Sequence, residues 1–342
     1  MFDRLHHLLE LPRPWKHLHT LPAPAESYRV FTEDGLELNL RRVPGGVAGK
    51  KAHRTPVMLL HGLAANHRGF HFRERSLAEW LAFRGHDVWL PELRGHGDSR
   101  PASFDWRIDD YLHYDIPAII ETILAETGAE RVHWLGHSMG GVLLMCYGIL
   151  EPGAPIARGI TVGSALDYKV GATGFKHLLA IRPLIERLYA VPYGTLVHLL
   201  APSLGRNLRA LEGFNVWPAN IEPAMVRKLH ARVFHTIPTS LLSSLATTFE
   251  DGGLRTQSDF RFVEHASRLE IPTLLVAASR DAQVSVEAVE HTQRLLGANA
   301  QMRVFGEETG TRHHYGHFDL LLGRHAPTEV WPELAAWLEA GG

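Results

Sequence analysis

With one cysteine, Cys146, in 342 residues, the chain cannot form an internal disulfide, so a packed core must hold the fold. So little cysteine suits a reducing compartment, and a cytoplasmic protein is expected. Cys146 falls in an apolar helical run and reads as a packing residue. No stretch reaches the roughly 18 continuous apolar residues of a membrane-spanning helix. Met1 to Leu21 breaks its leucines with Arg4, His6, His7, Glu10, Arg13 and Lys16, so it lacks the apolar centre of a signal peptide. Charge of one sign is missing too. Lys and Arg number 35 against 37 Asp and Glu, for a formal charge of -2, which leaves no electrostatic footprint for nucleic acid or an anionic membrane. There is also no internal repeat, low-complexity run or flexible interdomain linker.

What is present is enough apolar material, 45% of residues, to bury a sizeable core. Leu11 to Pro24 carries four prolines, which suggests an extended arm over residues 1–27. From Tyr28 the alternation Tyr-Arg-Val-Phe-Thr, the turn Glu33-Asp34-Gly35 and the run Leu-Glu-Leu-Asn-Leu predict a β-hairpin. Short, nearly unbroken apolar runs follow at Val57 to Leu60, Asp87 to Leu90, Val132 to Leu135, Ile160 to Val162, Thr273 to Ala277 and Met302 to Phe305, with helical stretches between them. Runs of this kind predict parallel strands covered on both faces, hence an α/β fold with a mostly parallel, doubly wound sheet. One helix is expected from about Arg73 to Arg84, ending at Gly85, and another near Pro117.

The rhythm breaks between about Tyr168 and Phe260, where no good strand is found and helical pieces such as Phe175 to Leu188 and Met225 to Val233 stand out. The expectation is a core of residues 28–167 and 261–342, with residues 168–260 inserted as a helical cap or lid. Phe175, Leu178, Leu179, Ile181, Leu184, Leu188, Leu196, Leu199 and Leu200 exceed what one-sided helices need. They are expected to form a small core of the cap or to line a substrate pocket beneath it.

The chemistry centres on Gly136-His137-Ser138-Met139-Gly140-Gly141, directly after one strand run and before the helical run Val142 to Leu150. This is a nucleophile elbow in strand, turn and helix context. The serine sits in a strained turn that projects its hydroxyl above the sheet, and Gly136 and Gly140 flank it where side chains would collide. The following helix aims its N-terminus at the site and favours developing negative charge. His61-Gly62-Leu63-Ala64-Ala65-Asn66 follows an earlier strand. An acyl transfer needs two preset N–H donors for its oxyanion, and losing one typically costs about 2.7–4 kcal/mol. The backbone N–H groups of Met139 and Leu63 are assigned to this task, with Gly62 allowing close approach. His61, before the serine in the chain, is rejected as base.

A serine needs a base, and the base an orienting acid, in the chain order Ser, acid, His. Asp281, on the loop after Thr273 to Ala277, is the expected acid, with Asp167 as rival that more readily caps a turn. His317, in Tyr315-Gly316-His317-Phe318-Asp319-Leu320, is the expected base. His313 and His314 read as solvent-facing, because no carboxylate or cysteine cluster completes a metal site with them. Neither metal nor organic cofactor is expected.

These motifs together resemble the α/β-hydrolase superfamily over about Tyr28 to Ala340. Glu92-Leu93-Arg94-Gly95-His96-Gly97-Asp98-Ser99 is similar to a family loop in which aspartate is commoner at the position of Glu92. The ending Tyr-Gly-His-Phe-Asp-Leu-Leu-Leu-Gly is similar to the terminal segment of acid and gastric lipases and of hydrolase domains found beside cholesterol-oxidase-like proteins. The resemblance implies a serine hydrolase acting on a small-molecule or lipid-like carboxylic ester. Acyl transfer and carbon–carbon bond hydrolysis are the alternatives on the same scaffold, and a non-catalytic small-ligand-binding protein is a third. Dehalogenases and epoxide hydrolases of this fold resemble one another in carrying aspartate where Ser138 stands.

Overall fold

The structure is a computed structural model that describes residues 25–46, 53–99, 103–176, 185, 187–206, 208 and 212–340. Of the arm expected at residues 1–27, residues 1–24 lie outside them, and Glu26 and Ser27 already belong to the first strand. Eight strands form the main sheet: β1 (Glu26–Phe31), β2 (Glu37–Val43), β3 (Val57–Leu60), β4 (Val88–Pro91), β5 (Val132–His137), β6 (Ile156–Val162), β7 (Thr273–Ala278) and β8 (Ala300–Phe305). Their spatial order is β1-β2-β4-β3-β5-β6-β7-β8. Only β2 runs against its neighbours.

The pattern of burial explains why these segments are strands. Every residue of β3, β4, β5 and β7 is buried, as expected where helices cover both faces and no polar alternation can survive. β2, near the edge, alternates instead, burying Leu38 and Leu40 between more accessible residues. The helices that cover the sheet are α1 (Leu77–Phe83), α2 (Ile116–Thr127), α3 (Met139–Leu150), α7 (Val286–Leu296) and α8 (Trp331–Glu339), the intervening numbers belonging to the segment between β6 and β7. The expected start of α1 at Arg73 is corrected to Leu77. His71 and Phe72 pair with Ser76 and Arg75 in a small hairpin, and the Ser76 side chain then caps the helix by accepting from the Glu79 N–H at 2.9 Å. α2 begins with Pro117 in its first turn and ends at Gly128, which adopts φ +66°.

Between β6 and β7 lie α4 (Tyr193–Leu200), α5 (Pro223–Arg232) and α6 (Thr239–Ala246). Contrary to expectation this segment also holds a two-stranded antiparallel pair, Ala190–Val191 with Ile237–Pro238. Two residues per strand are too few to write an alternating pattern into a sequence. Most of the helical piece expected at Phe175 to Leu188, with Leu178, Leu179, Ile181 and Leu184, lies outside the described residues. Of the remaining apolar residues Phe175 is half-buried, whereas Leu188, Leu196, Leu199 and Leu200 are 44–52% exposed. For those four leucines the expected role in a small core is corrected. α4 turns Gly194 and His198 inward instead, and the His198 ring donates to the Ala231 carbonyl of α5 at 3.1 Å.

Candidate active site

Ser138 sits between β5 and α3 with φ 54° and ψ -122°, a conformation that costs a non-glycine residue about 1–3 kcal/mol. Surrounding hydrogen bonds impose it. The Ser138 N–H donates to the Val162 carbonyl at 2.8 Å, while its own carbonyl accepts from Gly141 N–H at 2.9 Å and Ser164 Oγ at 2.8 Å. A Cβ on Gly136 would stand 2.2 Å from the Gly140 carbonyl oxygen, and one on Gly140 would stand 2.3 Å from that of Leu60. Strand and helix can therefore meet this closely only through glycine.

The loop after β3 passes directly over the serine. A Cβ on Gly62 would fall 2.7 Å from Ser138 Cβ and 3.3 Å from its Oγ. Ala64 turns the loop with φ 57°, held by the His235 N–H, which donates to its carbonyl at 2.7 Å. Among the described residues, neither the Leu63 N–H nor the Met139 N–H has a hydrogen-bond acceptor. Two amides near one hydroxyl are thus left unspent. His61 braces this loop. Its Nδ1–H donates to the Gly62 carbonyl at 2.9 Å and its Nε2 accepts from the Leu93 N–H at 3.2 Å. Burial, reinforced by neighbouring His96, pushes its pKa down to about 3, so both nitrogens are committed and the ring stays neutral.

Leu93 follows Glu92, the position that departs from the family pattern. Glu92 is buried and accepts from Asn39 Nδ2 at 3.0 Å, the Asp98 N–H at 2.8 Å and the His67 ring. Burial alone would raise its carboxyl, but His67 and these donors hold it well below the usual carboxylate range. Its longer side chain fills the space where Gly97, at φ +55°, has none, since a Cβ there would lie 1.8 Å from Glu92 Oε1.

Asp281 and His317 come together although 36 residues separate them. The His317 Nδ1–H donates to Asp281 Oδ2 at 2.7 Å, and the two side chains are 1% and 0% exposed. The other carboxylate oxygen accepts from the N–H groups of Gln283 at 2.8 Å and Val284 at 3.1 Å. His137, next to the serine, packs its ring at a tilt of 52° and 4.6 Å from that of His317 and donates from Nε2 to the His317 carbonyl at 3.1 Å. The loop that carries His317 is thereby tied to the turn of Ser138.

The rival candidates have other occupations. Asp167 accepts from the Lys169 N–H at 2.8 Å and lies 3.3 Å from His291. His313 and His314 are not simply solvent-facing, which corrects the expectation. His313 donates to Glu329 at 2.9 Å and stacks on His325, while His314 bonds Ser279 Oγ at 3.0 Å.

Several contributors were not singled out from sequence. Gly163 has φ +61°, and a Cβ there would lie 3.0 Å from His317 Nδ1 and 3.1 Å from Asp281 Oδ2. Gln283 donates from Nε2 to the Phe214 carbonyl and Asn215 Oδ1, both at 3.0 Å, and the Phe318 N–H donates to the Asn215 carbonyl at 2.8 Å. Buried Asp319 accepts from the N–H groups of Gly316 and Trp217 at 2.9 Å and from Asn220 Nδ2 at 3.3 Å. One short stretch, Phe214 to Asn220, is therefore stitched to the loops of both Asp281 and His317. The only sequence signal was the aspartate two places after His317.

Asp319 also makes a measurable pH signature. Burial is the largest influence on its carboxyl and pushes it up to about 7, against the N–H donors that favour ionisation. Between about pH 4, where an unfolded aspartate titrates, and pH 7, the native state keeps a proton that the unfolded chain has lost. Its contribution to stability is therefore full below that window and declines as pH rises through it. Urea unfolding from pH 4.5 to 8 should show this decline in the wild type and a flatter profile in Asp319→Asn. Asp319→Ala, which leaves the buried N–H groups unpaired, should be destabilised by about 2 kcal/mol or more at all these values.

Residues 55–323 match the model of the alpha/beta hydrolase fold, and residues 19–72 match that of a partial alpha/beta-hydrolase lipase region. Human lipase member K is 25% identical, with 92% of this chain and 88% of that protein covered. Human gastric triacylglycerol lipase is 38% identical over a shorter region, 34% of this chain and 33% of its own length. In three dimensions the chain is similar to a thermophilic esterase from Thermogutta terrifontis, with TM-score 0.62, 18% identity and coverage of 92% and 99%. It is likewise similar to the monoacylglycerol lipase of Paleococcus ferrophilus, with TM-score 0.60, 19% identity and coverage of 90% and 100%. With the family match spanning most of its length, the chain belongs to the alpha/beta-hydrolase fold family and is similar to lipases across most of its sequence.

Proposed function

We propose that the protein hydrolyses a carboxylic ester with an apolar acyl or alcohol part, through an acyl-enzyme on Ser138. The observation that carries this reading is the imidazole–carboxylate pair of His317 and Asp281 beside a strained serine turn with two unspent amides. In the proposed cycle the Ser138 hydroxyl attacks the ester carbonyl carbon while His317 Nε2 takes its proton. The resulting oxyanion accepts from the N–H groups of Leu63 and Met139. When the carbon–oxygen bond breaks, the imidazolium gives the proton to the leaving alcohol. The same nitrogen then activates water to release the carboxylic acid and restore the hydroxyl. Asp281 fixes the tautomer and favours the charged imidazole without taking the proton.

The named likeness to lipases supports an apolar ester. Residues 168–260 are proposed as the cap under which it enters, since Phe214 to Asn220 reaches both triad loops. A fluorophosphonate probe tests the reading. It should label wild-type protein at Ser138 within minutes and leave Ser138→Ala unlabelled, whereas an unlabelled wild type would turn the proposal toward a ligand-binding role. Turnover of p-nitrophenyl esters of rising acyl length should favour the longer chains, and strict preference for acetate would count against an apolar pocket.

A further inference from the structure

The opposite pole of the sheet from Ser138 carries a second cluster with no part in this chemistry. His53 leads into β3, His86 leads into β4, and Glu339 lies in the last turn of α8. The backbone joins the first two, because the His53 N–H donates to the Gly85 carbonyl at 3.1 Å. His86 is 1% exposed, and neither ring nitrogen has a hydrogen-bond partner among the described residues. Its Nε2 faces Glu339 Oε1 at 3.5 Å, a weak contact at the edge of hydrogen-bond range. Leaving a buried imidazole this poorly satisfied is costly, and a ligand beyond the described residues would relieve it.

We infer that His53, His86 and Glu339 form a binding site for a divalent transition-metal ion such as zinc. One donor atom from each residue lies within 4.8 Å of the others. Two imidazoles and a carboxylate suit a borderline cation such as zinc(II), which takes these ligands at about 2.0–2.2 Å and accepts water as a fourth. Arg84 holds the carboxylate in place, bonding Glu339 Oε1 at 2.9 Å and Oε2 at 3.1 Å, as groups behind a metal ligand commonly do. The rings of His53 and His86 are parallel within 6° at 4.1 Å. Parallel rings cannot both aim an in-plane lone pair at one ion, so solvent-accessible His53 must swing off the stack when the ion enters. Bound there, the ion would pin the C-terminal helix to the strand ends.

Untagged full-length protein, stripped with chelator and desalted, should bind one equivalent of zinc by calorimetry, and its Tm should rise by several degrees. Cobalt(II) should give the visible absorption of an imidazole-bound site. His53→Ala and Glu339→Gln should each weaken zinc binding by about tenfold or more and leave ester turnover unchanged. The absence of a saturable site in the wild type, or equal binding by wild type and both variants, would overturn the inference. The first result would mean that water satisfies His86, and the second that the ion sits elsewhere among the 23 histidines.

Discussion

Ser138→Ala is expected to lower kcat by about 10⁴–10⁶-fold and to leave stability within about 1 kcal/mol of the wild type. The two halves of this result have separate causes. In the proposed cycle, chemistry fails because the acyl group has no oxygen to bond to. The fold survives because the elbow is held by its backbone. Val162, Gly141 and Ser164 bond the main chain of residue 138, and among the described residues no hydrogen bond engages its hydroxyl. Alanine occupies the same strained φ at a cost similar to that of serine. A variant that also unfolded early would show that the hydroxyl is structural. One that turned over esters near the normal rate would remove Ser138 from the mechanism. Active-site titration with a fluorophosphonate, beside urea unfolding of the same preparations, measures both halves.

Ser138 and Asp281 stood out as candidates because each follows a strand that is buried throughout and whose apolar run is hard to mistake, and because the elbow has a steric signature of its own. His317, after the more accessible β8, stood out through its terminal motif. Gly136 and Gly140 are required by contacts of 2.2 and 2.3 Å, and contacts that close leave a mark in composition. The parts that stayed hidden depend on long-range backbone contacts. The carbonyl of Asn215 receiving the Phe318 N–H could be made by almost any residue, so nothing at position 215 announces it. Asp319 was visible as a letter of the terminal motif, yet its partner Trp217 N–H lies 102 residues away. The leucines of α4 mark the opposite failure. Hydrophobicity states that a surface favours cover, and says nothing about whether this chain provides it.

Asp281→Asn tests the orienting role more sharply than a deletion would, because the shape is nearly kept. The asparagine oxygen can still accept from the N–H groups of Gln283 and Val284, which now bond Asp281 Oδ1. Its amide nitrogen then faces His317 Nδ1, where Asp281 Oδ2 stands at 2.7 Å. An amide donates where a carboxylate accepts, so Nδ1 must give up its proton and the imidazole carries hydrogen on Nε2 instead. In the proposed cycle that is the nitrogen that takes the proton of Ser138. The expected outcome is a fall in kcat of about 10⁴-fold at neutral pH, with KM changed far less, since neither group holds the substrate. Fluorophosphonate labelling should slow in parallel while still reaching one label per chain. Loss confined to tenfold would mean that another acid orients His317. Asp167, already engaged by the Lys169 N–H, would then have to leave its turn, and Asp167→Asn in the same background would expose it.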